Sequence, residues 1–346
     1  MSKMMSRRCS IMLALAVAAV LLLPLGVTSA SAAETYEFKI SLEGIPTHSK
    51  NLGVDIFVKE LVAKSGGRLK PIVYHSAQLY KDMHVIKAVD MGMVQMAVVG
   101  NYLLDGVDIN ATVTHLPMFF GQAVPEDQYL RFLDEISKPV GRNLEKKIKV
   151  KVVGRVFVMG FDNTFTAKKK ITKLEDFKGL KIRHAGGAVS GARFEALGAI
   201  GVVIAYGDLA MALTQHTIDG VATTIKSVES AKLHDAGLKY CTENRNFVSY
   251  YYPLVNLQFW NSLPLDLQKT FMEAWDYSVP KQREIAAKEQ DDAKIYLQGK
   301  GMEFIMPGDA ELSKWRNHIM PIQDKLIKDL KYDPEIITLC KKVLGM

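Results

Sequence analysis

Strand-like and helix-like segments alternate along most of this 346-residue chain, which limits it to an α/β architecture. Residues 36–42 alternate between apolar and polar side chains as a half-buried strand does. Helical spacing follows at 52–62 and ends at Gly66-Gly67, and a second strand is predicted at 69–75. The same alternation predicts a helix at 83–91, a buried strand at 94–99 and a valine-rich strand at 149–158.

A second α/β set begins near Gly160. Its predicted elements are a strand at 181–183, a helix at 189–197, a strand at 202–204 and a helix from the cap Asp208 to 215. Strand character returns at 250–259, and a long helical pattern then runs from Pro264 to about Gln298. Pro280 lies inside that pattern and is expected to kink the helix, since proline removes a backbone donor. We expect this helix to join two lobes.

The first 33 residues are predicted to be a cleaved secretory signal peptide. Lys3, Arg7 and Arg8 precede an apolar run at 11–23, and small residues at 30–32 match a cleavage site near Ala32-Ala33. The apolar run is too short for a membrane span, which needs roughly 20 residues. We therefore expect the mature protein to lie outside the cytoplasm.

Charge and motifs exclude several classes of function. Removing the three signal-peptide cations lowers the net charge from +7 to +4, too little for a nucleic-acid binder, so no nucleic-acid partner is expected. Zinc motifs, a Gly-x-Ser-x-Gly elbow and a phosphate-binding loop are all missing from the sequence, so we nominate no metal, no cofactor and no catalytic residue. Whether Cys241 and Cys340 form a disulfide stays open.

Arg183 is the strongest candidate for a ligand contact. It ends the segment Asp176-Phe177-Lys178-Gly179-Leu180-Lys181-Ile182-Arg183, which is typical of a strand that aims its last side chain into a cleft. A guanidinium offers a planar fork of donors that matches a carboxylate. From the residues alone, a surface salt bridge is an equally good interpretation.

Several motifs, taken together, resemble the solute-binding subunits of tripartite ATP-independent periplasmic (TRAP) transporters, of the type that binds dicarboxylates or sialic acid. They are His48, Ser76-Ala77-Gln78-Leu79, Leu116-Pro117-Met118-Phe119, the Arg183 segment with Leu174-Glu175 before it, Ala196-Leu197-Gly198-Ala199, Ile218-Asp219-Gly220 and Trp260-Asn261-Ser262-Leu263-Pro264. The resemblance covers essentially the whole mature chain. It implies a periplasmic-binding-protein-like fold of two α/β lobes that close on a ligand, with an arginine at position 183 pairing with the ligand carboxylate. We assign 34–159 and 248–289 to lobe I, and 160–247 and 290–346 to lobe II.

The resemblance also suggests further ligand contacts. Tyr206 stands where the family often places an aromatic ring, whereas Thr223 and Asp162 depart from the family pattern. The other candidates are Glu43, Asp82, Asn101, Arg155 and Phe161. Each has a second interpretation as a cap, turn, core or surface residue, and for Asp82 a helix cap is favoured.

The resemblance implies an organic acid as ligand, the membrane subunits of a TRAP transporter as partners, and no enzymatic activity. We expect a monomer. Gly100 and Leu103 occupy positions where sialic-acid binders have charged groups, so we expect a monocarboxylate with an apolar or aromatic body. A sensor that docks to a signalling receptor remains an alternative, as does, less favoured, a secreted enzyme.

Overall fold

A twisted mixed sheet runs through both halves of the structure, a computed structural model that describes residues 34–346. The predicted signal peptide lies outside the described residues. The strands are β1 (Tyr36–Ser41), β2 (Leu69–Tyr74), β3 (Met96–Gly100), β4 (Val150–Val152), β5 (Phe157–Thr166), β6 (Lys181–His184), β7 (Ile200–Val203), β8 (Gly220–Thr223), β9 (Tyr240–Asn256) and β10 (Glu303–Ile305). The α-helices are α1 (Ser49–Lys64), α2 (Asp82–Asp90), α3 (Glu126–Lys147), α4 (Ala188–Ala196), α5 (Leu209–Thr214), α6 (Ile225–Ser230), α7 (Leu257–Ser262), α8 (Leu265–Gly299), α9 (Asp309–Ile319), α10 (Gln323–Asp329) and α11 (Pro334–Val343).

The strand order β2-β1-β3-β9-β5-β8-β6-β7 joins two parallel sets through two long strands. β1 is parallel to β2 and β3, and β6 is parallel to β7 and β8. Between the two sets, β9 runs antiparallel to β3 and to β5. The two halves are therefore connected by β5 and β9, and the prediction of an α/β fold is confirmed.

The long helix α8 packs into both halves. Trp275 and Val279 share a buried cluster with residues of β1, α1 and β3, whereas Ala293 and Leu297 pack with residues of α5, α6 and β8. Pro280 lies inside this helix, as predicted. One helix therefore contributes apolar side chains to two separate cores and connects them.

The C-terminal helix α11 packs on the first half of the sheet. Ile336 and Cys340 share a buried cluster with Val99 and Tyr252. Cys241 lies in a different cluster, and both cysteines are buried and free. The lobe boundaries themselves stay a prediction.

Two predicted strands differ from the observed ones. The segment 149–158 forms β4 and the start of β5, separated by a bend at Gly154, where φ is +152° and a Cβ would lie 2.7 Å from Trp275 Cδ1. The strand predicted at 250–259 begins ten residues earlier and ends at Asn256, so Phe259 belongs to α7. Buried asparagines explain the missed start, because Asn244 and Asn246 both hydrogen-bond to Thr164 Oγ1 instead of facing solvent.

Candidate functional site

A cavity lies between the carboxyl ends of the parallel strands of both halves. Glu43 follows β1, Tyr206 follows β7, Thr223 ends β8 and Arg183 belongs to β6. The carboxyl edge of an open α/β sheet is where such folds bind ligands. The cavity volume is about 50 Å³, measured as the space open to the centre of a water molecule.

Most of the residues around this cavity carry polar side chains. Its lining consists of Glu43, Gly44, His48, Lys50, Asp82, Met83, Tyr102, Leu103, Asp162, Arg183, Ala185, Ala205, Tyr206, Thr223, Thr224, Ser227, Ser249 and Tyr251. The apolar or aromatic ligand body predicted from the sequence does not match this lining, because such a body would leave many of these groups without hydrogen-bond partners.

Arg183 is buried with its guanidinium edge facing the cavity. The residue is 3 % exposed, and its Nε donates to the Ile204 carbonyl at 2.8 Å. Among the described residues, Nη1 and Nη2 have no hydrogen-bond partner. Burial lowers the pKa of Arg183, while Tyr102 and Asp162 oppose that shift. The Nε bond fixes the plane of the guanidinium and leaves its two terminal nitrogens for a carboxylate.

Lys50, Asp82 and Glu43 form a charged cluster on the first-half side. Lys50 is 3 % exposed, and its Nζ lies 3.4 Å from Asp82 Oδ2 and above the Tyr251 ring. Glu43 Oε1 is buried without a hydrogen-bond partner in the described structure. Burial and the neighbouring Asp82 raise the pKa of Glu43 to about 7. Glu43 therefore exchanges its proton near neutral pH.

Asp162 is a second buried acid in the cavity. It is 4 % exposed, and its Oδ1 accepts a 2.6 Å hydrogen bond from Ser249 Oγ. Burial raises the pKa of Asp162 to about 6, although Ser249 and the Arg183 charge pull in the opposite direction. Beside it, the hydroxyls of Tyr102 and Tyr251 are hydrogen-bonded at 2.9 Å.

His48 connects the two halves at the edge of the cavity. Its Nδ1 accepts from Lys50 N–H at 3.3 Å and caps α1, which leaves Nε2–H to donate to Ser227 Oγ at 3.4 Å. Burial and the cations Lys50 and Lys226 lower the pKa of His48 to about 3. The imidazole is therefore neutral, in the tautomer that these two hydrogen bonds require.

The structure brings five of the eight sequence-predicted site residues to the cavity. These are Arg183, Tyr206, Thr223, Glu43 and Asp82. The favoured interpretation of Asp82 as a cap does not hold, because its carboxylate pairs with Lys50 and α2 has no side-chain cap bond. Asp208 likewise pairs with Lys81, at 2.9 Å, rather than capping α5.

The other three candidates lie elsewhere. Asn101 is fully buried and bonds to the Ala111 carbonyl and to His115 Nε2. Arg155 forms partly exposed ion pairs with Asp276 and Asp134. Phe161 faces a groove on the opposite side of the sheet, since neighbouring strand residues point to opposite faces and Asp162 faces the cavity.

Sequence reasoning missed Lys50, His48 and Tyr102 as cavity residues. The position of Lys50 was one sequence signal of a functional role. It lies in the first turn of α1, where the helix dipole disfavours a cation. The Tyr102 ring packs directly against Gly100, because a Cβ on that glycine would lie 2.4 Å from Tyr102 Cζ. The glycine therefore makes room for a cavity tyrosine, so it does not indicate a less polar site.

Comparison with known proteins identifies the family. Residues 41–329 match the family described as bacterial extracellular solute-binding protein, family 7. The chain belongs to this family. The solute-binding protein is 29% identical over 315 residues to the C4-dicarboxylate-binding periplasmic protein DctP of Rhodobacter capsulatus, covering 88% of this chain and 90% of that one.

Solved TRAP periplasmic solute-binding proteins share its two-lobed fold. One from Desulfovibrio salexigens, with bound orotic acid, has a TM-score of 0.82 at 20% identity and covers 90% of this chain and 99% of its own. The sugar acid binding protein of Advenella mimigardefordensis, in complex with galactonate, has a TM-score of 0.83 at 20% identity over the same shares of the two chains. The predicted resemblance and the two-lobed fold class are therefore confirmed.

Within residues 34–346, no helix has both the length and the apolar character required to cross a bilayer.

Proposed function

We propose that this solute-binding protein is the periplasmic subunit of a TRAP transporter. In this proposal the exported mature chain, released by cleavage near Ala32-Ala33, acts as a monomer. It captures an organic acid between its lobes and delivers it to the membrane subunits of the transporter. Family membership supports the transport role, and the organic acids bound by solved relatives support the ligand class.

The observation that carries the proposal is the state of Arg183. Its Nε is held by the Ile204 carbonyl, and its two terminal nitrogens face the cavity without partners among the described residues. A buried guanidinium in this state is costly unless an acid completes its hydrogen bonds. A carboxylate bound in two-pronged fashion satisfies both nitrogens at once.

The lining further favours a small monocarboxylate with a polar body. Three carboxyl groups, those of Glu43, Asp82 and Asp162, already share the cavity, so a second ligand carboxylate would be repelled. The volume is also small, since one water requires roughly 10–15 Å³ on this measure. A polar body replaces the apolar or aromatic one predicted from the sequence.

The test is to identify what the protein carries. Mature wild-type protein and an Arg183→Ala variant are purified in parallel, denatured, and the released small molecules are compared by mass spectrometry. We expect a carboxylic acid that is abundant in the wild type and strongly depleted in the variant. A thermal-shift panel of organic acids supplies the complementary readout. If no acid is released and none stabilises the wild type, the proposed function is wrong.

A further inference from the structure

The charges around the cavity are not balanced by the protein alone. Lys50 and Asp82 form a pair at 3.4 Å and largely satisfy each other. This leaves one cation, Arg183, facing two acids, Asp162 and Glu43. Because Arg183 and Asp162 are buried and Glu43 is half-buried, an uncompensated charge here is more costly than on the surface.

Each of the two acids has an oxygen without a hydrogen-bond partner among the described residues. Asp162 uses Oδ1 for Ser249, and its Oδ2 has no hydrogen-bond partner among the described residues. Glu43 Oε1 is buried and also lacks a partner. Two acceptor oxygens without partners therefore belong to the same cavity as a guanidinium that offers only donors. A ligand that fits must carry an acceptor group at one end and a donor group at the other.

Different acids leave different net charges in this site. With both cavity acids ionised, a simple monocarboxylate adds a third negative charge opposite the single free cation, and a dicarboxylate adds a fourth. An amino acid adds one charge of each sign. Its carboxylate pairs with Arg183 and its ammonium pairs with Asp162, so that these four charges cancel and only the Glu43 charge remains uncompensated.

Building on the proposed function, we propose that the ligand is a small zwitterion, with its carboxylate on Arg183 and its ammonium between Asp162 and Glu43. Neutral Glu43 then accepts a hydrogen bond from the ammonium, and ionised Glu43 pairs with it. Ser249 holds the Asp162 carboxylate in place through the 2.6 Å hydrogen bond. The polar hydroxyls around the cavity solvate the short body of the ligand.

The experiment uses acids that differ only in one group. Calorimetric titrations of the mature protein compare propionate, lactate and alanine, and then butyrate, 3-hydroxybutyrate and 3-aminobutyrate, with 4-aminobutyrate to vary the spacing. The full organic-acid panel is titrated alongside, with the amino counterpart of every acid that binds. We expect the amino member of a binding set to bind at least tenfold more tightly than its hydroxyl or unsubstituted counterpart.

The isosteric variant Asp162→Asn tests the assigned contact. It should weaken binding of the amino acid at least tenfold, while changing the affinity for the matching hydroxy acid much less. Tighter or equal binding of the unsubstituted, hydroxylated or dicarboxylic member overturns the zwitterion while leaving an Arg183-dependent acid binder intact. If no member of the panel binds at all, the zwitterion and the proposed function fail together.

Discussion

Arg183 differs from an ordinary surface arginine because its environment has already fixed its geometry. The Ile204 carbonyl orients the guanidinium, and burial removes competing water. Lysine cannot reproduce this arrangement, since its ammonium is a point charge on a flexible stem. Arg183→Lys should therefore weaken ligand binding more than tenfold, equivalent to about 1.4 kcal/mol, yet less than Arg183→Ala does. Calorimetry measures this, and wild-type affinity in the lysine variant would mean that charge alone suffices.

Glu43 should make the unliganded protein less stable as the pH rises. Its pKa is raised from 4.5 to about 7 in the folded state, so the folded protein holds the proton over a range where the unfolded chain has released it. The stabilising contribution is complete below about pH 4 and is lost as the pH rises through 7. Glu43→Gln removes this titration, so the melting temperature of the variant relative to wild type should rise between pH 5 and pH 8.

Thermal unfolding without ligand at both pH values checks the Glu43 prediction. Glu284→Gln, at an exposed position of α8, is the matched control and should show no such trend. A Glu43→Gln difference that is constant from pH 5 to pH 8 would contradict the raised pKa.

At the scale of elements, two glutamines of α8 support the irregular part of β5. Gln282 accepts from Val158 N–H and donates to the Val158 carbonyl, both at 3.0 Å, on an edge of β5 where no strand within residues 34–346 pairs with it. The pairing of β5 with β9 shifts register next to Met159. Gln290 Nε2 donates to the Met159 carbonyl at 2.9 Å. Gln290 Oε1 also accepts from Lys226 N–H at the start of α6.

Gln290→Ala should therefore destabilise the protein by about 1–3 kcal/mol, because it leaves the Met159 carbonyl and the Lys226 N–H without partners. Urea unfolding measures the change. Gln298→Ala is the matched control, since Gln298 is an exposed glutamine on the same helix. Equal stabilities of the two variants would show that Gln290 does not support the crossing region.

The elements also differ in how well the sequence predicts them. Alternation and periodicity predicted β1, α1, β2 and the whole of α8, because these elements carry regular apolar patterns and clear turn residues. No helix is predicted from the sequence at α3, because Pro139 and Gly141 interrupt its helical pattern. In the site, the motif around Arg183 was readable, whereas Lys50 and Tyr102 reach the cavity only through tertiary packing.

For the whole molecule, we expect the ligand to bring the two halves together by rotation about β5 and β9, near Gly160 and Phe247. Lys81 and Asp208 form an ion pair across the halves, Asp105 accepts from Ala188 N–H, and His48 meets Ser227. A ligand contacting residues of both halves adds to this set and shifts the population toward closure. Small-angle scattering should give a smaller radius of gyration with saturating ligand than without it.

The Arg183→Ala variant is the scattering control, and it should stay unchanged at the same ligand concentration. Identical profiles for the wild type with and without saturating ligand would contradict closure of two lobes.

The most direct test of the account compares two arginine truncations by calorimetry, using the acid released from the wild type. Arg183 faces the cavity, whereas Arg155 was also a sequence candidate but pairs with Asp276 and Asp134 away from it. We predict that Arg183→Ala loses well over tenfold in affinity while Arg155→Ala binds like the wild type. Unchanged affinity in Arg183→Ala, or an equal loss in both variants, would contradict the assignment of Arg183 as the carboxylate-binding residue.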